Sequence, residues 1–482
     1  MLEDIIKERR KKLDNLIGAG INPYPEKTKK NFSNKKISDN FEQLLDKNIV
    51  IAGRVRSLRS MGAITFLNID DESGRIQALL KKEHIGEEQY QLFVENLDIG
   101  DFIQAEGILF LTKTKEKTLN IDSLNILTKS LLPIPTEYYG LKDKEALLRK
   151  RYLDLIINSE MRELFRKKNI FWQTIRNFLM ERDFLEVDTP VLETAAAGAD
   201  AKPFITHHNV LDCDFYLRIS LELPLKKLLV GGYEKVFEIG KVFRNEGIDA
   251  EHLQDYLMME FYWAYADMES GMKLTKELFK KIIFSVSGGY ETEYDNNKIK
   301  WDGEWEVVDY FDSFKKETGI DLSQNINMNE LKKKADELNL KYEPSYGKGR
   351  MIDLIYKKTV RPKLIQPCFL TGHPVEVSPL AKKDPNNQKK VLRFQIIAAG
   401  SELANGFSEL NDPIDQRARF EEQSKLRQAG DEEAQMMDDD FIEALEYGMP
   451  PAVGVGISER LFSFIMNRSI RETVIFPLMR KK

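Results

Sequence analysis

The stretch VFEIGKVFRNEG, residues 236 to 247, is apolar and strand-like until it meets Arg244, Asn245 and Glu246. Arginine and glutamate are costly to bury unless they are paired or hydrogen-bonded. With the two-residue period of a strand, Glu238, Gly240, Val242, Arg244 and Glu246 share one face. The following YLMMEFYWAYAD puts Tyr256, Met258, Glu260 and Tyr262 on one face in the same way. Two antiparallel strands joined by the loop 247 to 255 would gather Arg244, Glu246, Glu260 and Tyr262. Such a polar sheet face suits the floor of a ligand site. A structural Arg244–Glu260 ion pair accounts for the same pattern, and the spacing alone does not choose between them.

Two further stretches carry polar groups at strand spacing. In GSELANGFSELND, Asn405, Phe407 and Glu409 alternate onto one face, while Glu402 has the other parity and needs a bulge or twist to join them. VGVGISERLFSFI is a Gly-rich strand leading into a helix, with Glu459 and Arg460 at the junction. Small residues there let a ligand or another backbone approach closely. The phosphate-cradling G-x-x-x-x-G-K-[ST] loop is absent.

These residues need elements to hold them. At 482 residues the chain calls for two or more domains. Hydrophobic residues at 42% and charged residues at 31% suit a soluble globular protein, and a net charge of -6 excludes a chain that is basic throughout. Two cysteines, Cys213 and Cys368, exclude a disulfide framework or a Cys-rich zinc site. No apolar run is long enough to span a bilayer. The opening residues have no signal-peptide core, and Glu3, Asp4 and Glu8 argue against a transit peptide, so a cytoplasmic protein is expected.

Leu2, Ile5, Ile6, Leu13, Leu16 and Ile17 fall at helical spacing and predict a basic amphipathic helix ending near Gly18, either solvated or touching RNA phosphates. Residues 49 to 128 hold short strand-like runs split by turns such as DDESG, which suggests a small OB-type barrel. Arg54, Arg56, Arg59, Phe66 and Gln77 offer it a nucleic-acid face, with Phe66 as plain core the simpler alternative. Two prolines then mark a linker. Leu164, Ile170, Phe171, Ile175 and Phe178 repeat at helical spacing over 161 to 183. Charged helical segments between 271 and 364 read as an insertion in a domain that is otherwise α+β.

The chain resembles the class II lysyl-tRNA synthetases over nearly all its length. The resemblance rests on GINPYP (20 to 25), KRYLDLI (150 to 156), KPFITHHN (202 to 209), YLRISLELPLKKLLVGG (216 to 232), FRNEG, MMEFYWAYAD (258 to 267), EVSPLAKK (376 to 383), NGFSELND and IRETVIFPLMR (470 to 480), in that order. FLEVDTPVL with Pro190 resembles the first class II motif, at the dimer interface. FRNEG through MMEFYWAY resembles the second and GVGISERL the third.

The resemblance implies an α+β architecture: an N-terminal OB-fold barrel, then a class II catalytic domain with an antiparallel sheet and flanking helices. The expected boundaries are a helical extension over 1–45, the OB-fold anticodon-binding domain over 46–135, a linker over 136–158 and the catalytic domain over 159–482, with a helical insertion at about 271–364. It implies a homodimer that activates L-lysine with ATP and Mg2+, releases pyrophosphate and transfers lysine to the 3′ end of tRNA(Lys). By motif position, Arg244, Glu246 and Arg460 are the catalytic residues, and Arg244, His252, Tyr256, Glu402 and Arg460 bind ATP. Gly198, Glu222, Arg244, Glu260, Tyr262, Asn405, Phe407 and Glu409 bind lysine. Glu402 and Gln395 hold metal, and Arg54, Phe66 and Gln77 read the anticodon. A permanently charged guanidinium and magnesium suit a reaction in which two anions approach each other. An ammonium needs acceptors, so acids favour lysine over the aspartate or asparagine of sister enzymes.

Three positions depart from the family pattern. Gln395 stands where a second metal-binding glutamate is usual, and an amide oxygen can ligate magnesium only without charge. Glu251 stands where an arginine often precedes the loop histidine. The third motif is one residue short, with SER in place of IDR. The competing functions are an aspartyl- or asparaginyl-type enzyme, a paralogue that lysylates protein, which would lack the barrel, and a noncatalytic tRNA-binding protein. The acidic pocket, the barrel and the retained Arg244, Glu260 and Arg460 weigh against each in turn.

Overall fold

The computed structural model describes residues 2–135, 143–247 and 252–480. The chain divides into two compact units, Met1–Lys142 and Asp143–Lys482.

In the first unit, strands Ile49–Met61, Ile64–Asp71, Gly74–Lys81, Phe102–Leu111 and Lys117–Thr128 close into a barrel. Alternating apolar residues fill it, among them Ile51, Val55, Leu67, Ile69, Ala78, Ile103 and Ile121, so one face of every strand is core. The DDESG turn is set by Asp71, whose Oδ1 accepts from the Ser73 and Gly74 amides. The N-terminal helix, Leu2–Gly18, is docked rather than free. Leu16 is buried, and Arg9 donates to the Ser130 and Ile99 carbonyls. Part of the helix's basic character is thus committed to the fold.

The second unit is built on an eight-stranded sheet. Across it run Glu306–Asp309, Cys368–Thr371, Arg393–Ala398, Ser401–Ser408, Ala452–Ser458, Asp255–Ala264, Lys235–Phe243 and Leu185–Glu186. The pairings are antiparallel except at the two edges, which are parallel. One face is apolar: Phe237, Met259, Phe261, Ile457, Phe394 and Ile396 pack on helices Ser159–Met180 and Met268–Ser287. That leaves the opposite face for polar groups. In the first helix Leu164, Phe171, Ile175 and Phe178 turn inward as the spacing predicts, but Ile170 is exposed and Trp172 is buried in its place. The buried stripe follows the 3.6-residue period, and 170 lies at its margin.

The expected helical insertion over 271–364 is corrected. Its first helix is a supporting helix of the main core, with Leu278, Phe279 and Ile282 buried beneath the sheet. Glu306–Asp309 is an edge strand of the sheet itself. Only the helices after it form a separate layer, whose core stacks Tyr310 on Tyr356 at 3.8 Å and packs on Leu370 and Ile397 of the sheet. The charged surfaces of these helices had masked one buried face each. Of the linker, residues 143–158 form two short helices, Lys144–Arg149 and Arg151–Ile157; its earlier part, and Glu251, lie outside the described residues.

Candidate active site

Register places the polar residues in rows. Gln395, Asn405, Gly456, Glu260 and Glu238 pair successively across five strands. Arg393, Phe407, Gly454, Tyr262 and Val236 form the next row. Both rows lie on the face opposite the helices. The pairing Ile396 with Ala404 and then Ile397 with Glu402 leaves Leu403 as an extra residue. This is the bulge that Glu402 required, and it turns Glu402 onto the same face. The result is a cavity of about 720 Å³. Arg244, Glu246, His252, Tyr256, Glu402 and Arg460 line it, as do Gly198, Glu222, Glu260, Tyr262, Asn405 and Phe407.

At one end carboxylates dominate. Glu260 is buried and accepts from Ser220 Oγ (2.8 Å), the Leu221 amide (3.0 Å) and Tyr262 OH (2.9 Å). No Arg244–Glu260 ion pair forms, so the simpler reading of the two strands does not hold. Glu222 opens helix Glu222–Val230, and Glu409 follows strand Ser401–Ser408; both are buried. Lys226 bridges them, its Nζ 2.5 Å from Glu222 Oε1 and 2.5 Å from Glu409 Oε2. Burial raises both carboxyls, Glu222 to about 7, and the Lys226 ammonium opposes that rise. Glu409 does not itself line the cavity, and neither of its buried oxygens has a hydrogen bond; Oε1 is the one that the Lys226 ion pair leaves. It lies beside Tyr262 above Gly454, where any Cβ would collide with both groups, so glycine is required. Gly198, at φ +91°, has its open side toward Ser220 and Glu222.

Asn405 gives its Oδ1 to Arg393 Nε at 2.7 Å, which leaves its amide NH2 to donate into the cavity. At the other end Arg244 Nε donates to the Ile219 carbonyl at 3.3 Å, and its guanidinium lies 5.7 Å from the Tyr256 ring centre. The Arg244 amide itself bonds the Gln254 carbonyl and so anchors the turn that ends the strand. Gln395 does not line the cavity; its Oε1 faces His373 Nε2 at 3.2 Å. Burial pushes His373 down to about 3, so the ring is neutral and donates.

Sequence reasoning missed several contributors. Lys226 lay inside a quoted stretch, and its i, i+4 spacing from Glu222 was the signal for a pair. Ser220, Arg393, Lys357 and Arg361 also line the cavity. In the barrel, Phe66 stands outside the apolar core, so it is not plain core. Asn68 pairs with Gln77, whose Oε1 accepts from Thr118 Oγ1. Arg54 is engaged inside its own unit, bonded to the Gly100 carbonyl and 4.2 Å from the Phe102 ring centre.

Residues 143–480 match the family described as class II tRNA synthetases (D, K and N), and residues 49–127 match the OB-fold nucleic acid binding domain. The chain belongs to the class II tRNA synthetases. It is 44% identical over 485 residues to the lysine–tRNA ligase of Pelotomaculum thermopropionicum, covering 100% of this chain and 96% of that one. It is 45% identical to that of Carboxydothermus hydrogenoformans (100% and 99% covered) and 42% to that of Halalkalibacterium halodurans (100% and 98%). Among the described residues no helix is long and apolar enough to cross a membrane.

Proposed function

We propose that this chain is a lysine–tRNA ligase: it joins L-lysine to ATP as lysyl-adenylate, then to the 3′ end of tRNA(Lys). The observation that carries this is Glu409 Oε1, a buried acceptor without a hydrogen bond, set beside Tyr262 and against Gly454, both of which line the cavity. An ammonium satisfies it; the carboxylate or amide oxygen of aspartate or asparagine would meet another acceptor. Glu222 and Gly198 suit the α-amino group, the Asn405 amide the carboxylate, and Phe407 the aliphatic stem.

In the first step the lysine carboxylate oxygen bonds the α-phosphorus of ATP, and the bond to pyrophosphate breaks. Arg244 neutralises both approaching anions, and no nucleophile on the protein is needed. Tyr256 and Arg460 suit the adenine and the phosphate tail, with Glu246 and His252 at the edge of the motif 2 loop. In the second step a ribose hydroxyl of the tRNA attacks the adenylate carbonyl and AMP leaves. Magnesium fits one position, Glu402, whose carboxylate lines the cavity. Gln395 adds at most a neutral oxygen already engaged with His373. A metal shared with phosphates suits this donor set better than a closed protein cage, since no cluster of three metal-binding side chains occurs among the described residues. When bound, it supplies charge neutralisation to the phosphates.

The barrel suits the anticodon, with Phe66 available for stacking and Gln77 for a base edge; Arg54 offers less, being engaged. Leu185, Val191 and Leu192, in the stretch resembling the first motif, are exposed in the single chain, which supports a homodimer. Light scattering should return twice the 55.9 kDa of one chain. The cytoplasm is the expected compartment.

The direct test is amino-acid-dependent exchange of pyrophosphate into ATP without tRNA, across a panel of amino acids. Exchange with lysine alone supports the reading. Exchange with aspartate or asparagine reassigns the pocket, and none with any amino acid leaves a tRNA-binding protein.

A further inference from the structure

Lys226 has no part in the chemistry above, yet it sits between the two acids that face the substrate's two ammonium groups. Its side chain is fully buried, with Nζ 2.5 Å from a single oxygen of each acid. The Phe407 and Phe441 rings lie 5.4 and 5.7 Å from it. It does not line the cavity but stands behind it. The oxygens it leaves are the useful ones: Glu409 Oε1 lies over the floor residue Gly454, and Glu222 lines the cavity itself.

Charge gives the arrangement its meaning. Glu222, Glu260 and Glu409 crowd one buried end, with Lys226 as the cation in contact with two of them. Two more positive charges complete the set, and a diamino acid supplies two. We propose that Lys226 is a positioning and specificity residue for the amino acid: from behind the pocket it fixes the spacing of Glu222 and Glu409 and favours the ionised form of each for the two ammonium groups. This rests on the lysine reading above.

The groups facing this centre are Glu222 and Lys226 from helix Glu222–Val230, Glu409 after strand Ser401–Ser408, Glu260 and Tyr262 from Asp255–Ala264, and Arg393 from Arg393–Ala398. The test is Lys226→Met, which keeps the stem and removes the charge. The lysine KM should rise about 30-fold while the ATP KM stays fixed. The pH at which lysine binding is half-lost should move up by about one unit or more, because two acids then share one site without their cation. Lys226→Arg should return that midpoint toward wild type.

Calorimetric ATP binding reports whether each variant is folded. Should Lys226→Met not fold, the pair Glu409→Gln and Glu409→Gln/Lys226→Met removes the excess buried charge. The double variant should then have the higher lysine KM of the two. A folded Lys226→Met with wild-type lysine KM and pH midpoint, or a double variant indistinguishable from Glu409→Gln, would show a merely structural lysine. Wild-type chain that exchanges pyrophosphate with aspartate but not lysine would instead overturn the underlying reading.

Discussion

The two ends of the cavity are held in opposite ways. At the amino-acid end the carboxylates of Glu222, Glu260 and Glu409 are 5%, 3% and 1% exposed, and each is tied to the fold. At the nucleotide end Arg244, Tyr256, Glu402 and Arg460 are half-buried and His252 is exposed, and Arg244 has one carbonyl as its side-chain hydrogen-bond partner. A buried carboxylate without partners is strongly destabilising, so the fold must satisfy it before any ligand arrives. A long cationic side chain can keep its charge near water and wait. On the function proposed above, discrimination of the amino acid is built into the fold, while recognition of phosphate is completed by the nucleotide.

The largest effect should come from Arg244. Arg244→Ala should lower kcat for pyrophosphate exchange about 10³-fold, because the charge it neutralises develops in the transition state. Its melting temperature should move little, since the side chain contributes one long carbonyl bond and one distant contact with the Tyr256 ring to the fold. A large loss of stability would mean that the nucleotide end is as preorganised as the other.

Glu409→Gln should act the other way round. It keeps the shape, removes one negative charge, and should raise the lysine KM about 50-fold with the ATP KM unchanged. A parallel rise in both constants would erase the division into two ends.

Acidity should separate them more gently. Burial places Glu222 at about 7 in the empty site, and a bound ammonium favours its ionised form, so lysine binding releases a proton. Lysine affinity should then fall about tenfold between pH 8 and pH 6, following the ionised fraction of a group at about 7. ATP affinity should not follow that curve. Calorimetry at both pH values decides, and Glu222→Gln should flatten the lysine curve.

The sequence revealed the rows better than the layers around them. Alternation placed Arg244, Glu260, Tyr262, Asn405 and Phe407 together because a strand's period is two whatever it packs against. The need for a bulge at Glu402 was legible from its parity; its position at Leu403 was not, since pairing partners fix it. Lys226 escaped because a lysine in a helix reads as solvent-facing, and only the fold brings Glu409 behind it. The helix Met268–Ser287 was assigned to an insertion for the same reason: its lysines and glutamates stand out among the segments that follow it, yet Leu278, Phe279 and Ile282 are fully buried.

The smallest effect should come from Gln395, which does not line the cavity. It shares a row with Asn405 and Glu260, so its backbone is placed for the site, yet its oxygen is turned to the neutral His373. Glu402 is left as the charged oxygen donor on that side. Gln395→Glu restores an anionic oxygen at the same length, and the His373 Nε2–H can still donate to one of its two oxygens, which leaves the other for a cation. The magnesium concentration for half-maximal ATP binding, followed by calorimetry, should fall about threefold. An unchanged midpoint would mean that residue 395 stays with His373 whatever its charge. The nucleotide end would then depend on Glu402 and on the cations Arg244 and Arg460, with the buried row acting only as its support.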